Sequence, residues 1–129
     1  MYCLDTNIII EFLRGNSAII KKIEEVSEYE DIFLNPVTVC ELFKGVYISP
    51  KSDEELKAVE SFVNSFDILI FNIDVYNEFG KIYSLARKSG NLVDDFDLII
   101  AAFAKAYNLV LVTRNKKHFE KSGIKIEVW

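Results

Sequence analysis

Two prolines, five glycines, two cysteines and one histidine are all that this 129-residue chain has of those types. So little Pro and Gly excludes a collagen-like or low-complexity chain, and the few present sit at segment boundaries. The lone His118 excludes any mechanism that needs two histidines. Cys3 and Cys40 form neither a CxxC nor a zinc spacing. Both lie inside apolar segments and read as small core residues in a reducing compartment. No apolar run approaches the length of a membrane span. Met1 leads straight into Tyr2-Cys3-Leu4 without a basic leader or cleavage pattern, so a chain that starts near Met1 and stays in the cytosol is expected. Positive charge is short as well. The net charge of −5 argues against a generic nucleic-acid coat, which needs Lys and Arg. It leaves room for a nuclease whose metals bring the positive charge, and it suits a partner with basic residues.

What is present is a core. Half of the residues are hydrophobic and 27% are charged, which suits one globular domain over residues 1–129. Tyr2–Leu4 reads as a short buried strand, and Thr6–Arg14 as a helix with Asp5 before it and Gly15 at its end. Asn16 caps a helix with Ile19, Ile20, Ile23 and Val26 on one face. Ile32–Leu34 is a second strand, and Asn35-Pro36 starts a helix that carries Glu41. Ser52 and Glu55 form a capping box for a helix bearing Leu56, Val59, Phe62, Val63 and Phe66. Ile68–Phe71 is a third strand. Asp74 caps a helix with Val75, Phe79, Ile82, Tyr83 and Ala86 inward. Asp97–Tyr107 is a buried helix, Leu109–Thr113 an interior strand and Ile124–Val128 an edge strand. The alternation predicts a parallel sheet with helices on both faces. Ligands then bind beyond the carboxyl ends of the strands, where strand order switches.

That topology gathers three acids. Asp5 follows strand one, Glu41 interrupts the apolar segment Val37–Val46, and Asp97 precedes the apolar turn Leu98–Ala102. Each has a bland role open to it, as a cap, a dipole partner or an exposed strip. Together they make a carboxylate pocket that repels itself unless a cation fills it. Oxygen ligands favour Mg²⁺ or Mn²⁺, and a hard-metal acidic site without a histidine partner points first to phosphodiester hydrolysis. Asp94 lies three residues before Asp97, on a neighbouring helical face, as a candidate further ligand beside its role at a helix start. Asp95 falls roughly opposite and ranks lower.

Four motifs in order resemble the PIN-domain ribonucleases: Cys3-Leu4-Asp5-Thr6-Asn7, then Val39-Cys40-Glu41-Leu42 with Gly45, then Asp95–Ala102, then Leu111-Val112-Thr113-Arg114-Asn115 followed by His118-Phe119. The last of these, and the ending Ile126-Glu127-Val128-Trp129, look like the toxin branch, the VapC toxins of VapBC toxin–antitoxin pairs. The resemblance implies an α/β/α sandwich around a five-stranded parallel sheet and a Mg²⁺- or Mn²⁺-dependent endoribonuclease. Asp5, Glu41 and Asp97 match its acidic ligands. The fourth acidic position is Asn115 here, which lowers the site's charge. Thr6, Asn7 and Thr113 are placed to orient Asp5, and Asn115 stands beside them. Arg14 and Arg114 are candidate phosphate contacts. Lys116-Lys117-His118 reads as a solvated loop rather than an RNA groove.

The implied partners are an RNA substrate, a VapB-like antitoxin, and a second copy of the chain or a toxin–antitoxin hetero-oligomer, with no membrane. The antitoxin is expected to place an Arg or Lys near Asp5 and Asp97. Two rivals stand beside this reading. One is a PIN-like module that binds RNA or protein without catalysis. The other is an aspartate-based phosphatase, which should have an acid two residues after Asp5, where this chain has Asn7.

Overall fold

The strand segments are three residues or fewer, so their order rather than their length organises the molecule. The computed structural model describes residues 1–91 and 93–129. Strands β1 (Tyr2–Leu4), β2 (Ile32–Leu34), β3 (Asp67–Ile68), β4 (Val110–Val112) and β5 (Lys125–Glu127) form one parallel sheet in the order β3-β2-β1-β4-β5. The helices are α1 (Thr6–Leu13), α2 (Ser17–Ser27), α3 (Pro36–Ile48), α4 (Ser52–Asn64), α5 (Ile73–Lys88), α6 (Asp95–Ala106) and α7 (Lys116–Phe119). None among the described residues is long and apolar enough to cross a membrane.

Side chains alternate through the sheet and so split the core into two layers. Cys3 and Leu111 pack with α5, α6 and Phe119, while Leu4, Leu34 and Val112 pack with α1 to α4. Ala101, Ala102 and Ala104 are buried on α6, and their small side chains let that helix lie close against its neighbours. The expected α/β/α sandwich is what forms. Burial pushes the Cys3 thiol up to about 12, so it is a packing group and not a nucleophile.

Four local expectations need correction. Cys40 is exposed, not in the core. The inward face of α3 is Val37, Thr38, Leu42 and Val46, and residue 40 lies about 200° round the helix from Thr38. Ser52 is not a cap, because α4 begins on Lys51 without a side-chain cap bond. Asp53, Glu54 and Glu55 sit in its first turn, where carboxylates complement the helix dipole. Asn72, not Asp74, caps α5, accepting from the Val75 N–H at 3.0 Å while its amide donates to the Tyr107 hydroxyl at 3.3 Å. Strand β3 stops at Ile68 instead of running to Phe71. Leu69 still donates to the Leu34 carbonyl, but the Ile70 carbonyl accepts from the Tyr107 hydroxyl at 2.7 Å in place of a ladder partner.

Strand order reverses between β1 and β4, which run side by side with Leu4 opposite Val112. The residues just past them, Asp5 and Thr113, therefore open into one crevice.

Candidate active site

Asp5 ends β1 with its backbone still in the ladder, its N–H donating to the Val112 carbonyl at 2.9 Å. Its side chain caps α1, and Oδ1 accepts from the Thr6 N–H at 2.8 Å. Oδ2 accepts from the Thr113 hydroxyl at 2.7 Å and from the Asn7 amide at 3.1 Å. Asp5 is 6% exposed, so all three bonds act in a poorly solvated place. Thr113, fully buried, also accepts from the Asn7 amide at 3.3 Å and the Asn115 N–H at 3.0 Å. Asn7 in turn accepts from the Arg114 N–H through its Oδ1 at 3.0 Å. The ends of β1 and β4 are thus sewn together around one carboxylate.

Glu41 arrives from α3. The buried Asn35 fixes the start of that helix, its Oδ1 accepting from the Thr38 N–H at 2.8 Å and its amide donating to the Thr38 hydroxyl at 3.0 Å. Such a cap is worth about 1 kcal/mol. Glu41 Oε1 accepts from the Thr6 hydroxyl at 3.0 Å, so Thr6 serves two acids, Asp5 by its N–H and Glu41 by its side chain. Partial burial raises the Glu41 pKa. The Thr6 bond opposes this, and the charges of Asp5, Asp97 and Asp94 raise it further.

Asp97 lies in the first turn of α6, half-buried, with His118 Nδ1 3.1 Å from its Oδ2. Desolvation raises its pKa, His118 pulls against that, and Asp5 and Asp94 add to the rise. Asp94 is the N-cap of α6 and accepts from the Phe96 N–H at 2.8 Å through Oδ1. It feels both Glu41 and Asp97, so the cap sits within reach of the acids. Four carboxylates from four places in the chain converge on the crevice.

The donor set decides whether a cation fits. It is all oxygen apart from His118, and two of its acids are held above their ordinary pKa by burial and by one another. That suits a hard divalent ion. Among the described residues, no three His, Cys, Asp or Glu side chains already close on one point as a ready-made ligand set. Mg²⁺ does not need one, because it keeps several waters and takes one or two carboxylates along with substrate phosphates.

The PIN-domain family profile matches residues 2–124. Ribonuclease VapC1 of Haemophilus influenzae strain R2866 is 30% identical over 122 residues, covering 94% of this chain and 91% of its own. The chain belongs to the PIN-domain family, in its VapC branch. A second relative, the tRNA(fMet)-specific endonuclease VapC of Shigella flexneri, is 29% identical and covers 99% of this chain and 97% of its own. The crystal structure of VapBC2 from Rickettsia felis bound to a promoter DNA fragment superposes with a TM-score of 0.93 at 25% identity, covering 99% of this chain and 98% of that one.

In this PIN domain the other residues singled out by sequence fall in different places. Thr6, Asn7 and Thr113 touch Asp5 directly. Asn115 precedes α7 and bonds Thr113 only through its backbone, with no side-chain cap bond. Arg14 and Arg114 both lean on Glu11, at 3.7 and 3.4 Å. Arg114 also donates to the Trp129 carbonyl. Glu11, which holds both arginines, was not singled out by sequence. Neither was the contact of His118 with Asp97. Its position in the segment after Thr113 was the available signal, masked by the lysines around it. The Lys116-Lys117-His118 segment is not a loop but the helix α7, pinned by Phe119 in the core.

Proposed function

We propose that residues 1–129 act as one nuclease domain, a cytosolic Mg²⁺- or Mn²⁺-dependent endoribonuclease that is the toxin of a type II toxin–antitoxin pair. The observation that carries this is the convergence of Asp5, Glu41, Asp97 and Asp94 at the switch between β1 and β4. It is joined to relatives named as ribonucleases over nearly the whole chain. Asp5, Glu41 and Asp97 hold the ion, and Asp94 adds charge with the oxygen its cap bond leaves over. A bound Mg²⁺ or Mn²⁺ supplies an acidified water and neutralises charge on the phosphoryl oxygens.

The chain's own residues do the rest. Thr113, Asn7 and the Thr6 N–H keep Asp5 ionised and fixed in direction, so its geometry does not have to be assembled at the moment of reaction. Glu41 keeps Oε2 clear of the Thr6 bond, and its raised pKa suits that oxygen to take a proton from the attacking water.

An antitoxin fits the cavity of about 300 Å³ that runs from Leu13 and Val59 past Leu42 to Glu41. An apolar segment there would bring a basic side chain to the acids and compete with the ion. The exposed Ile70, Ile73 and Tyr76 offer an apolar face for a second copy of the chain.

Cleavage of cellular RNA by the purified protein tests the reading. Activity should require Mg²⁺ or Mn²⁺, vanish with a chelator and be absent from Asp5→Asn. RNA binding without cleavage would favour the non-catalytic module, and hydrolysis of small phosphate esters without RNA cleavage would favour the phosphatase.

A further inference from the structure

The crevice poses an electrostatic problem for a polyanionic substrate. Its acids repel RNA, and a bound ion offsets only part of that. The chain as a whole, at −5, offers no general attraction. Yet the densest basic segment of the sequence, Arg114, Lys116, Lys117 and Lys121, begins one residue after Thr113. It is geared to the acidic centre. The Thr113 hydroxyl that bonds Asp5 also accepts the Asn115 N–H, and Asn7 holds both Asp5 and the Arg114 N–H. Phe119, 1% exposed, pins α7 in the core, and His118 on the same turn touches Asp97. Beside it opens a cavity of about 470 Å³, lined by Arg114, Asn115, Lys116, Lys117, His118 and Glu120. Its three fixed cations face one carboxylate. Arg114 is paired with Glu11, whereas Lys116 and Lys117 form no ion pair among the described residues.

We propose that this cavity is the subsite for an RNA phosphate flanking the scissile one, with Lys116 and Lys117 as its cations and the His118–Asp97 contact as its border with the acidic centre. The subsite rests on the ribonuclease reading above. It lets a negatively charged protein grip a polyanion next to a negatively charged centre. A rigid carrier fixes the spacing between the two, because the helix that presents the lysines is anchored by the residues that orient Asp5. Both lysines are exposed, so replacing them leaves the packing alone.

The test compares wild type, the double variant Lys116→Ala/Lys117→Ala, the double variant Lys116→Arg/Lys117→Arg, and Arg87→Ala/Lys88→Ala at the far end of α5 as a control. Cleavage of total cellular RNA is followed with Mg²⁺. Binding of a fluorescein-labelled single-stranded oligoribonucleotide is followed against salt, with each set also carrying Asp5→Asn to block cleavage. The alanine pair should raise KM several-fold with kcat kept. Its plot of log affinity against log salt should be shallower by about 1.4, roughly 0.7 for each lost phosphate contact. The arginine pair should restore both, and the control should change neither. If wild type cleaves RNA but the alanine pair keeps the same KM and salt slope, the subsite is wrong and the ribonuclease reading stands. Failure of the arginine pair to restore binding would also overturn it, because the loss would then not be one of charge. If wild type neither cleaves nor binds RNA, both readings fall. If the alanine pair loses affinity for a poly-glutamate peptide and none for RNA, the cavity belongs to an acidic protein segment instead.

Discussion

Asp5 and Asp97 carry the same carboxyl group on two walls of one crevice and are held in contrasting ways. Asp5 is nearly buried and has three donors on its two oxygens, from the neighbouring turn and from the adjacent strand end. Asp97 is more open, has His118 as its one hydrogen-bond partner, and is pushed up by desolvation and by the other acids. Glu41 resembles Asp97 in this respect, with one hydroxyl partner and a raised pKa. Donors stabilise an ion, whereas burial and like charges destabilise it. The β1–β4 wall is therefore finished without a cation, and the α3–α6 wall is left wanting one. The contrast separates the part of the site that sets geometry from the part that supplies affinity.

The largest effect should come from breaking the finished wall. Asp5→Asn removes a charge and turns one acceptor oxygen into an NH₂ among three donors. Cleavage should fall by more than the ~10–100-fold that losing a supporting bond costs. The metal-free melting temperature should fall by the equivalent of about 1–3 kcal/mol for an unmatched buried group. Relief of repulsion, the expectation from sequence, would instead raise it, so a calorimetric scan decides between the two. Next is Thr113→Val, which keeps the shape and deletes the hydroxyl. It leaves Asp5 one donor short and the Asn115 N–H without its acceptor. We expect a ~10–100-fold drop in cleavage and about 1–3 kcal/mol of lost stability in denaturant melts.

The unfinished wall should show itself in pH dependence. Glu41 and Asp97 have folded pKa values above their unfolded ones, so over that interval the folded state binds more protons than the unfolded state. Stability from these two groups is then greatest at low pH and is lost as pH rises through the raised values. Without metal, the stability difference between Glu41→Gln/Asp97→Asn and wild type should grow in favour of the variant as pH rises from the ordinary carboxylate range toward neutrality. Urea melts at a series of pH values measure this. The smallest effects belong to the rim. Asn115→Asp adds a carboxylate and should lower the Mg²⁺ concentration for half-maximal cleavage a few-fold, and Asp94→Asn, which can still cap α6, should raise it by a similar factor.

The finished wall was also the more legible one. Asp5, Thr6 and Asn7 are adjacent in the chain, and the charge-free strand ending in Thr113 identified itself as an interior neighbour of β1. Period and breakers alone therefore gave the parallel sheet and its switch point. The unfinished wall depends on helix packing. The apolar run around Glu41 shows that an acid there is costly but not that Cys40, its neighbour, faces solvent, because a run of apolar letters hides a helix's phase. Caps misled where two candidates lay close together. Asp74 has the better dipole position, and Asn72 won the cap because its amide also meets Tyr107 across the fold. The contact of His118 with Asp97 spans 21 residues and depends on how Phe119 seats α7, which no local pattern encodes.

The most direct measurement is the melting temperature of metal-free protein titrated with Mn²⁺, for wild type and for Glu41→Gln/Asp97→Asn. If the α3–α6 wall is the part waiting for a cation, wild type should gain several degrees at a hundredfold excess over Kd, the equivalent of about 2.7 kcal/mol. The double variant should start higher near neutral pH and respond little. A wild type indifferent to Mn²⁺, or a double variant that gains as much as wild type, would contradict it.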